Sequence, residues 1–380
     1  MSAAVSTRKP FAIYAITTHG IAIAERLRAA LPGADLYVSE KLFARAPEGA
    51  LRLPLPMGPT LTETFTAYDC HVHVISVGAV VRMIAPLLQN KKVDPAIVCV
   101  DDAARFAICV LSGHVGRGNF FTERVAEALS AQPVITTASD VRGTLTVDIL
   151  GRDLGWTLDD PDRNVTLGCA AVVNAQPVLV VQETGEPGWW PEGEKLPEGV
   201  KLAHSLDGVD PSAWEMLLIV SDRELRETER AAWERAVIYR PKSLVVGIGC
   251  DRNTPPDLVA RGLRTLFARH GLSPKCVKAI ASIDVKADEL ALVALADELG
   301  VPLRFFDAAT LDASPNIATP SEMVKKHVGT RGVCEPAALL AAGTSELLVP
   351  KQVYTEEGAG RSMTLAVARV PFARRTVAYG

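Results

Sequence analysis

The amino-acid sequence predicts an α/β protein: two α/β domains with mainly parallel sheets, joined by a small, variable middle region. Three observations carry that expectation. From the start to about residue 150, short β-rich runs alternate with amphipathic helical stretches, the order that builds βαβ units. The same alternation resumes at about residue 241 and runs to the end. Between them lies a stretch rich in Gly, Pro and Glu that fits neither period. At 380 residues the chain is too long for one ordinary core. The expected division is therefore 1–150, 151–240 and 241–380.

In the first domain, FAIYAIT (11–17) reads as a strand and HGIAIAERLRAAL (19–31) as a helix. CHVHVISV (70–77) is strand-like and GAVVRMIAPLL (78–88) helical. AIVCV and RFAICVLS flank DDAA, which predicts a hairpin. NFFTERVAEALS is helical, PVITTASD (133–140) strand-like, and TLTVDILGRDLG helical again. In the middle region, ETGEPGWWPEGEKLPEGVK (183–201) reads as a loop, while PVLVVQ and EMLLIVSD suit a small sheet.

The last domain opens with SLVVGIGC, a strand ending in glycines. TPPDLVARGLRTLFARHG follows as a helix, with Thr254 the expected N-cap and Val259, Leu263 and Leu266 its core-facing stripe. VKAIASI is a strand, and DELALVALADELG a helix with Leu292, Leu295, Ala296 and Leu299 on one face. VPLRFF is a strand, SEMVKKHV and EPAALLAAG are helical, and LLVPKQVY and MTLAVARV close the chain as strands.

Composition narrows the function. Hydrophobic residues make up 48% and charged residues 22%, as in soluble globular proteins. A net charge of −4 argues against a nucleic-acid-binding surface. No run approaches the length of a membrane helix, and the opening MSAAVSTRKPFAIYAITTHG makes a poor signal peptide. Seven cysteines without a CxxC pair suit reduced thiols in the cytoplasm rather than a disulfide frame or a structural zinc site.

Several stretches carry possible chemistry. LSGHVGRGNFFTE (111–123) places Gly113, Gly116 and Gly118 ahead of a helix start, where free N–H groups and the positive dipole end suit an anion. Asn119 is the expected cap, and His114 and Arg117 offer charge or proton transfer; a plain glycine-rich turn is the alternative. GIGCDRNTPP (247–256) repeats the theme but lacks the third glycine of a dinucleotide fingerprint. Its Cys250 reads equally as a nucleophile or as a small buried thiol. ITTASD (135–140) places Thr136, Thr137, Ser139 and Asp140 at a strand end, as a binding edge or a helix cap. His71 and His73 share one face of a strand, as a metal pair or as packed core histidines. Lys286, Glu289, Glu335 and Lys351 complete the candidates, each otherwise a surface charge.

GAVVRMIAPLLQNKKVDPAIVCVDD, VLSGHVGRGN and PVITTASD resemble the N-terminal domain of the cobalamin-biosynthesis CbiG family, the cobalt-precorrin-5A hydrolases. VVGIGCDRNTP, AIASIDVKADE, TPSEMV, GVCEPAALLAA and LLVPKQVY resemble that family's C-terminal domain, which also occurs alone in aerobic corrinoid pathways. The resemblance runs through nearly the whole chain in order. One departure stands in the loop: the family's usual SGHxGGAN is here SGHVGRGN, so Arg117 and Gly118 replace Gly and Ala.

The resemblance implies a cobalt-containing tetrapyrrole substrate whose δ-lactone is opened with release of acetaldehyde, giving cobalt-precorrin-5B. It implies no cofactor beyond the cobalt carried by the substrate. The expected partners are that small corrinoid and other enzymes of the corrin pathway, with no nucleic acid and no membrane. For such a reaction the candidate catalytic residues are His114 as base or proton shuttle, Ser112 and Asn119 as carbonyl-polarising donors, and Glu289 or Glu335 as the alternative acid/base. Gly113, Gly116, Arg117, Gly118, Thr136, Thr137, Ser139 and Asp140 would line the substrate cleft, as would Gly247, Gly249, Cys250, Ser282 and Lys351. Lys286 and Arg252 would grip carboxylates. Three rival readings remain at this stage: a non-catalytic corrinoid carrier, a metal hydrolase using His71 and His73, and a nucleotide-dependent enzyme.

Overall fold

The run KPFAIYA becomes β1 (Lys9–Ala15), with its last five residues all buried, the pattern of a parallel strand covered on both faces. Thr17 caps α1 (Thr18–Ala30), its side chain accepting from Gly20 N. β2 (Ala34–Ser39), β3 (Leu51–Leu53), α2 (Gly58–Thr64), β4 (Tyr68–Val74) and α3 (Val77–Ile84) follow. The series continues through β5 (Ala96–Val100), β6 (Phe106–Leu111), α4 (Gly118–Leu129) and β7 (Gln132–Val134). These strands form one sheet in the order β3-β2-β1-β4-β5-β6-β7. Every pairing is parallel except β5 with β6. That exception is the hairpin expected around DDAA, whose Asp101 carboxylate accepts from Arg105 N and Phe106 N, each at 2.7 Å.

This computed structural model describes residues 8–372 apart from 139–142, 161, 315–319, 321–324, 327 and 359. The break between its two compact units falls at Ile149/Leu150. The second unit begins with a sheet of its own. β8 (Thr157–Leu158), α5 (Val165–Val173), β9 (Val178–Gln182), β10 (Val200–Ala203), β11 (Met216–Val220), α6 (Arg230–Glu234) and β12 (Ala236–Arg240) build it. Its order is β10-β9-β11-β12-β8, parallel save for β12 with β8. The middle region is thus a five-stranded α/β layer and not merely a connector.

β13 (Leu244–Cys250), α7 (Pro256–His270), β14 (Val277–Ile283), α8 (Leu290–Leu299), β15 (Leu303–Phe306) and α9 (Ala308–Asp312) come next. α10 (Cys334–Ala342), β16 (Leu347–Thr355) and β17 (Ser362–Arg369) complete the second unit. The strand order is β15-β14-β13-β17-β16, with β13 to β15 parallel and the last two strands antiparallel. Asp222 ties this sheet to the preceding one. It is buried, receives two hydrogen bonds from Arg369 at 2.7 and 2.8 Å, and accepts a third from Ser243 at 2.8 Å.

Four local expectations need correction. TLTVDILGRDLG is not an α-helix: residues 147–150 are turns, and only Arg152–Leu154 forms a short 3-10 segment, closed on both sides by left-handed Gly151 and Gly155. The strand within PVITTASD ends at Val134. Pro255, not Thr254, is the N-cap of α7; the Thr254 hydroxyl instead donates to Asp251 O at 2.8 Å. Asn119 lies inside α4, whose N-cap is Arg117. The SEMVKKHV helix falls mostly outside the described residues, as do Ser139 and Asp140.

Candidate active site

In the first unit, the loop from Ser112 to Arg117 crosses from the carboxyl end of β6 to the start of α4. Gly118 N donates to Ser112 O at 2.8 Å and Asn119 N to Gly113 O at 2.9 Å, folding the loop tightly over the helix start. A side chain would not fit inside that fold: a Cβ on Gly116 would lie 2.4 Å from Ser112 Cβ, and one on Gly118 2.6 Å from Leu111 O. Ser112 and Arg117 both adopt left-handed backbone, with φ of 59° and 61°. For a non-glycine residue this conformation costs about 1 kcal/mol, so a glycine at position 117 would sit there without that strain. The exposed Arg117 guanidinium lies over the Phe120 ring at 4.4 Å.

The loop gathers several of the candidate residues. Ser112 Oγ donates to Asp94 O at 3.0 Å, which occupies the hydroxyl hydrogen on the loop's own scaffold. Asn119 Nδ2 donates to Thr137 Oγ1 at 2.7 Å, joining α4 to the segment after β7. Thr136, one residue earlier, is exposed. His114 is 19% exposed, and its Nδ1 faces Asp148 Oδ1 at 3.6 Å. Asp148 was not among the residues singled out from the sequence, because it was read as part of a helix.

The second unit holds a cleft of about 630 Å³ at the carboxyl ends of β13 and β14, where open parallel sheets bind ligands. Gly249, Cys250, Arg252, Lys286, Glu335 and Lys351 all line it, so six of the sequence candidates converge there. Its apolar walls come from Ile283, Val328, Val333 and Met363. No carboxylate among the described residues pairs with the Lys351 ammonium. Lys286 Nζ stands 3.5 Å from Glu289 Oε2. Glu289 lies behind it, 3% exposed, with that oxygen accepting no hydrogen bond among the described residues. Arg252 is engaged at the rim, donating to Asp288 at 2.5 Å and to Val285 O at 2.7 Å. Glu335, 2% exposed, is held by its structure: its Oε1 accepts from Lys351 N at 3.0 Å.

Two candidates of this half serve packing. Gly247 lets α10 press onto β13, and a Cβ there would lie 1.8 Å from Cys334 O. Ser282 is buried and donates to Ile248 O at 2.7 Å, pinning β14 to β13. Cys250 and Cys334 border the cleft as protonated thiols, each pushed up to about 11, chiefly by burial. A thiol with that ionisation is a poor nucleophile near neutral pH. Sequence reasoning missed the cleft residues Cys334, Met363 and Thr364, which arrive from α10 and β17 and show no chemical motif of their own.

The rival metal pair is accounted for by packing. His71 and His73 are fully buried on β4 beside Tyr14, whose ring stacks on theirs at 5.8 and 4.8 Å. The Tyr14 hydroxyl and Phe65 O satisfy the two nitrogens of His71 at 3.0 Å each. Among the described residues, no cluster of three or more His, Cys, Asp or Glu is placed to hold a metal ion.

Fold and site together define a class: an α/β protein with a cation-bearing, partly apolar cleft at the carboxyl ends of parallel strands, suited to a small acidic ligand. The chain matches three family descriptions in sequence: Cobalamin synthesis G N-terminal over 59–140, Cobalamin biosynthesis central region over 145–241, and Cobalamin synthesis G C-terminus over 244–368. It belongs to the cobalamin-synthesis G family. A cobalt-precorrin-5A hydrolase of Priestia megaterium is 38% identical over 373 residues, covering 97% of each chain. One of Salmonella typhimurium is 32% identical over 373 residues, covering 96% of this chain and 100% of the other. Protein CobE of a Sinorhizobium species is 40% identical over 113 residues, 30% of this chain and 73% of that one.

Proposed function

We infer that this protein is a hydrolase of cobalamin biosynthesis that opens the δ-lactone of cobalt-precorrin-5A and releases acetaldehyde, giving cobalt-precorrin-5B. The observation that carries the reading is similarity along the full chain to two relatives named cobalt-precorrin-5A hydrolase. Physical chemistry supports it. A corrinoid intermediate joins an apolar macrocycle to several carboxylates. The cleft of the second unit offers apolar walls and the ammonium groups of Lys286 and Lys351, a match for one such edge.

The reaction needs a base to take a proton from water as it attacks the lactone carbonyl, and donors for the oxygen that becomes anionic. In this reading His114 is the base. Loop N–H groups and Asn119 polarise the carbonyl, and Glu289 beside Lys286 is the alternative acid/base. C–C cleavage then follows loss of a proton from the freed hydroxyl, with the conjugated macrocycle as electron sink. No cofactor is proposed beyond the cobalt of the substrate, so turnover is expected to survive chelation. The protein is expected to work in the cytoplasm, where its seven cysteines, none of them in a disulfide, remain thiols. Among the described residues, no helix is long and apolar enough to cross a membrane.

The test is anaerobic incubation with cobalt-precorrin-5A, following acetaldehyde and the mass of the corrinoid. Aldehyde in step with lactone opening is the expected result. Tight binding without aldehyde would overturn the hydrolase in favour of a carrier.

A further inference from the structure

Asp148 follows the buried Val147 in the last turn of the first unit. Its side chain is only 9% exposed, and Oδ1 accepts no hydrogen bond among the described residues. A buried carboxylate oxygen without a donor is costly, and native structures keep such groups rarely. His114 Nδ1 stands 3.6 Å from that oxygen. That distance is too long for a hydrogen bond as it stands, yet catalytic contacts commonly tighten when substrate binds.

We propose that Asp148 is a positioning residue for His114. With substrate bound it accepts Nδ1–H, which fixes the tautomer whose Nε2 carries the lone pair that acts as base, and it steadies the imidazolium formed in the reaction. In the lactone step, the water oxygen bonds to the carbonyl carbon while its proton passes to Nε2. The carbonyl carbon–ring oxygen bond then breaks, and the leaving oxygen takes the proton back from Nε2. Water is added overall, and nothing is oxidised or reduced. The proposal rests on His114 being the base. It adds the group that orients that base, as the carboxylate of a Ser-His-Asp triad does.

The experiment uses the full-length chain with cobalt-precorrin-5A and histidine-selective 15N labelling, His114→Ala serving to assign the His114 signals. In the wild type with substrate, the His114 resonances are expected to report the Nδ1–H tautomer. Asp148→Asn should lower kcat about 100-fold with KM within about twofold and mix the tautomers, and Asp148→Glu should recover part of the loss. In the His114→Ala background, Asp148→Asn should cost less than about twofold more. Wild-type kcat and an unchanged tautomer in Asp148→Asn would overturn the proposal while leaving the hydrolase intact. If Asp148→Asn does not fold, an Nε2–H tautomer in the substrate-bound wild type overturns it instead. Full turnover by His114→Ala removes the base and this role with it. Absence of aldehyde from the wild type defeats the hydrolase reading separately.

Discussion

His73 shows how a single residue can be read two ways until its surroundings are known. From the sequence it is half of a possible metal pair. In the fold it is fully buried, and neither ring nitrogen has a hydrogen-bond partner among the described residues. Burial lowers its pKa to about 3, and that of His71 to about 4, from 6.5. The sign follows directly. The unfolded chain takes up a proton near pH 6.5 and the folded chain does not, so stability is full above that pH and falls as pH drops towards 3. His73→Leu removes this liability along with two unsatisfied nitrogens. It should match or exceed wild-type stability at pH 7 and gain about 2 kcal/mol more by pH 5, read from urea unfolding at the two pH values. An equal response of both proteins to pH would refute this. The candidate residues were legible where glycines, charges and hydroxyls cluster in sequence, as in SGHVGRGN and around Lys286. Asp148 was not, because one carboxylate among apolar neighbours has no local signature until the chain brings it to His114.

Among the elements, β13 and α10 are closely fitted, with Gly247 against the first carbonyl of the helix. Gly247→Ala is expected to destabilise the protein by about 3 kcal/mol and to disturb the cleft that α10 walls, lowering the urea midpoint; an unchanged midpoint would show that the two elements part readily. The longest helices were legible because their apolar periodicity spans several turns, as in α7 with Val259, Leu263 and Leu266 buried. β3 has only three residues and β8 two, too few to show a period, and both went unread. TLTVDIL imitates a helix, since Leu145, Val147 and Leu150 are all buried. The left-handed glycines at 151 and 155 decide against one.

At the scale of the whole molecule, net charge and local charge part company. The chain carries −4 overall, yet the cleft of the second unit presents Lys351 without a carboxylate partner among the described residues and Lys286 against a single one. A substrate with many carboxylates should therefore be held partly by charge. KM for cobalt-precorrin-5A is expected to rise several-fold between about 0.05 and 0.5 M salt, with kcat little changed; a KM indifferent to salt would deny these cations a part in binding. The α/β alternation was legible as two stretches around an interruption. The sheet inside that interruption was underestimated, because its strands are buried apolar runs separated by long Gly- and Pro-rich connections.

Asp222 has a bearing on modularity. A separate protein of a Sinorhizobium species is similar to 113 residues, 30% of this chain, and the C-terminal family match begins at residue 244, which invites cutting this chain near residue 241 to free that module. Here the cut would separate a buried acid from Arg369 and Ser243, which lie on the far side of it. Asp222 would stay with the middle sheet as a charge stripped of its partners, a loss of about 3–5 kcal/mol when a buried pair is broken. Domains that look interchangeable in an alignment are thus soldered in this molecule, and a working fragment would have to neutralise both sides of the joint.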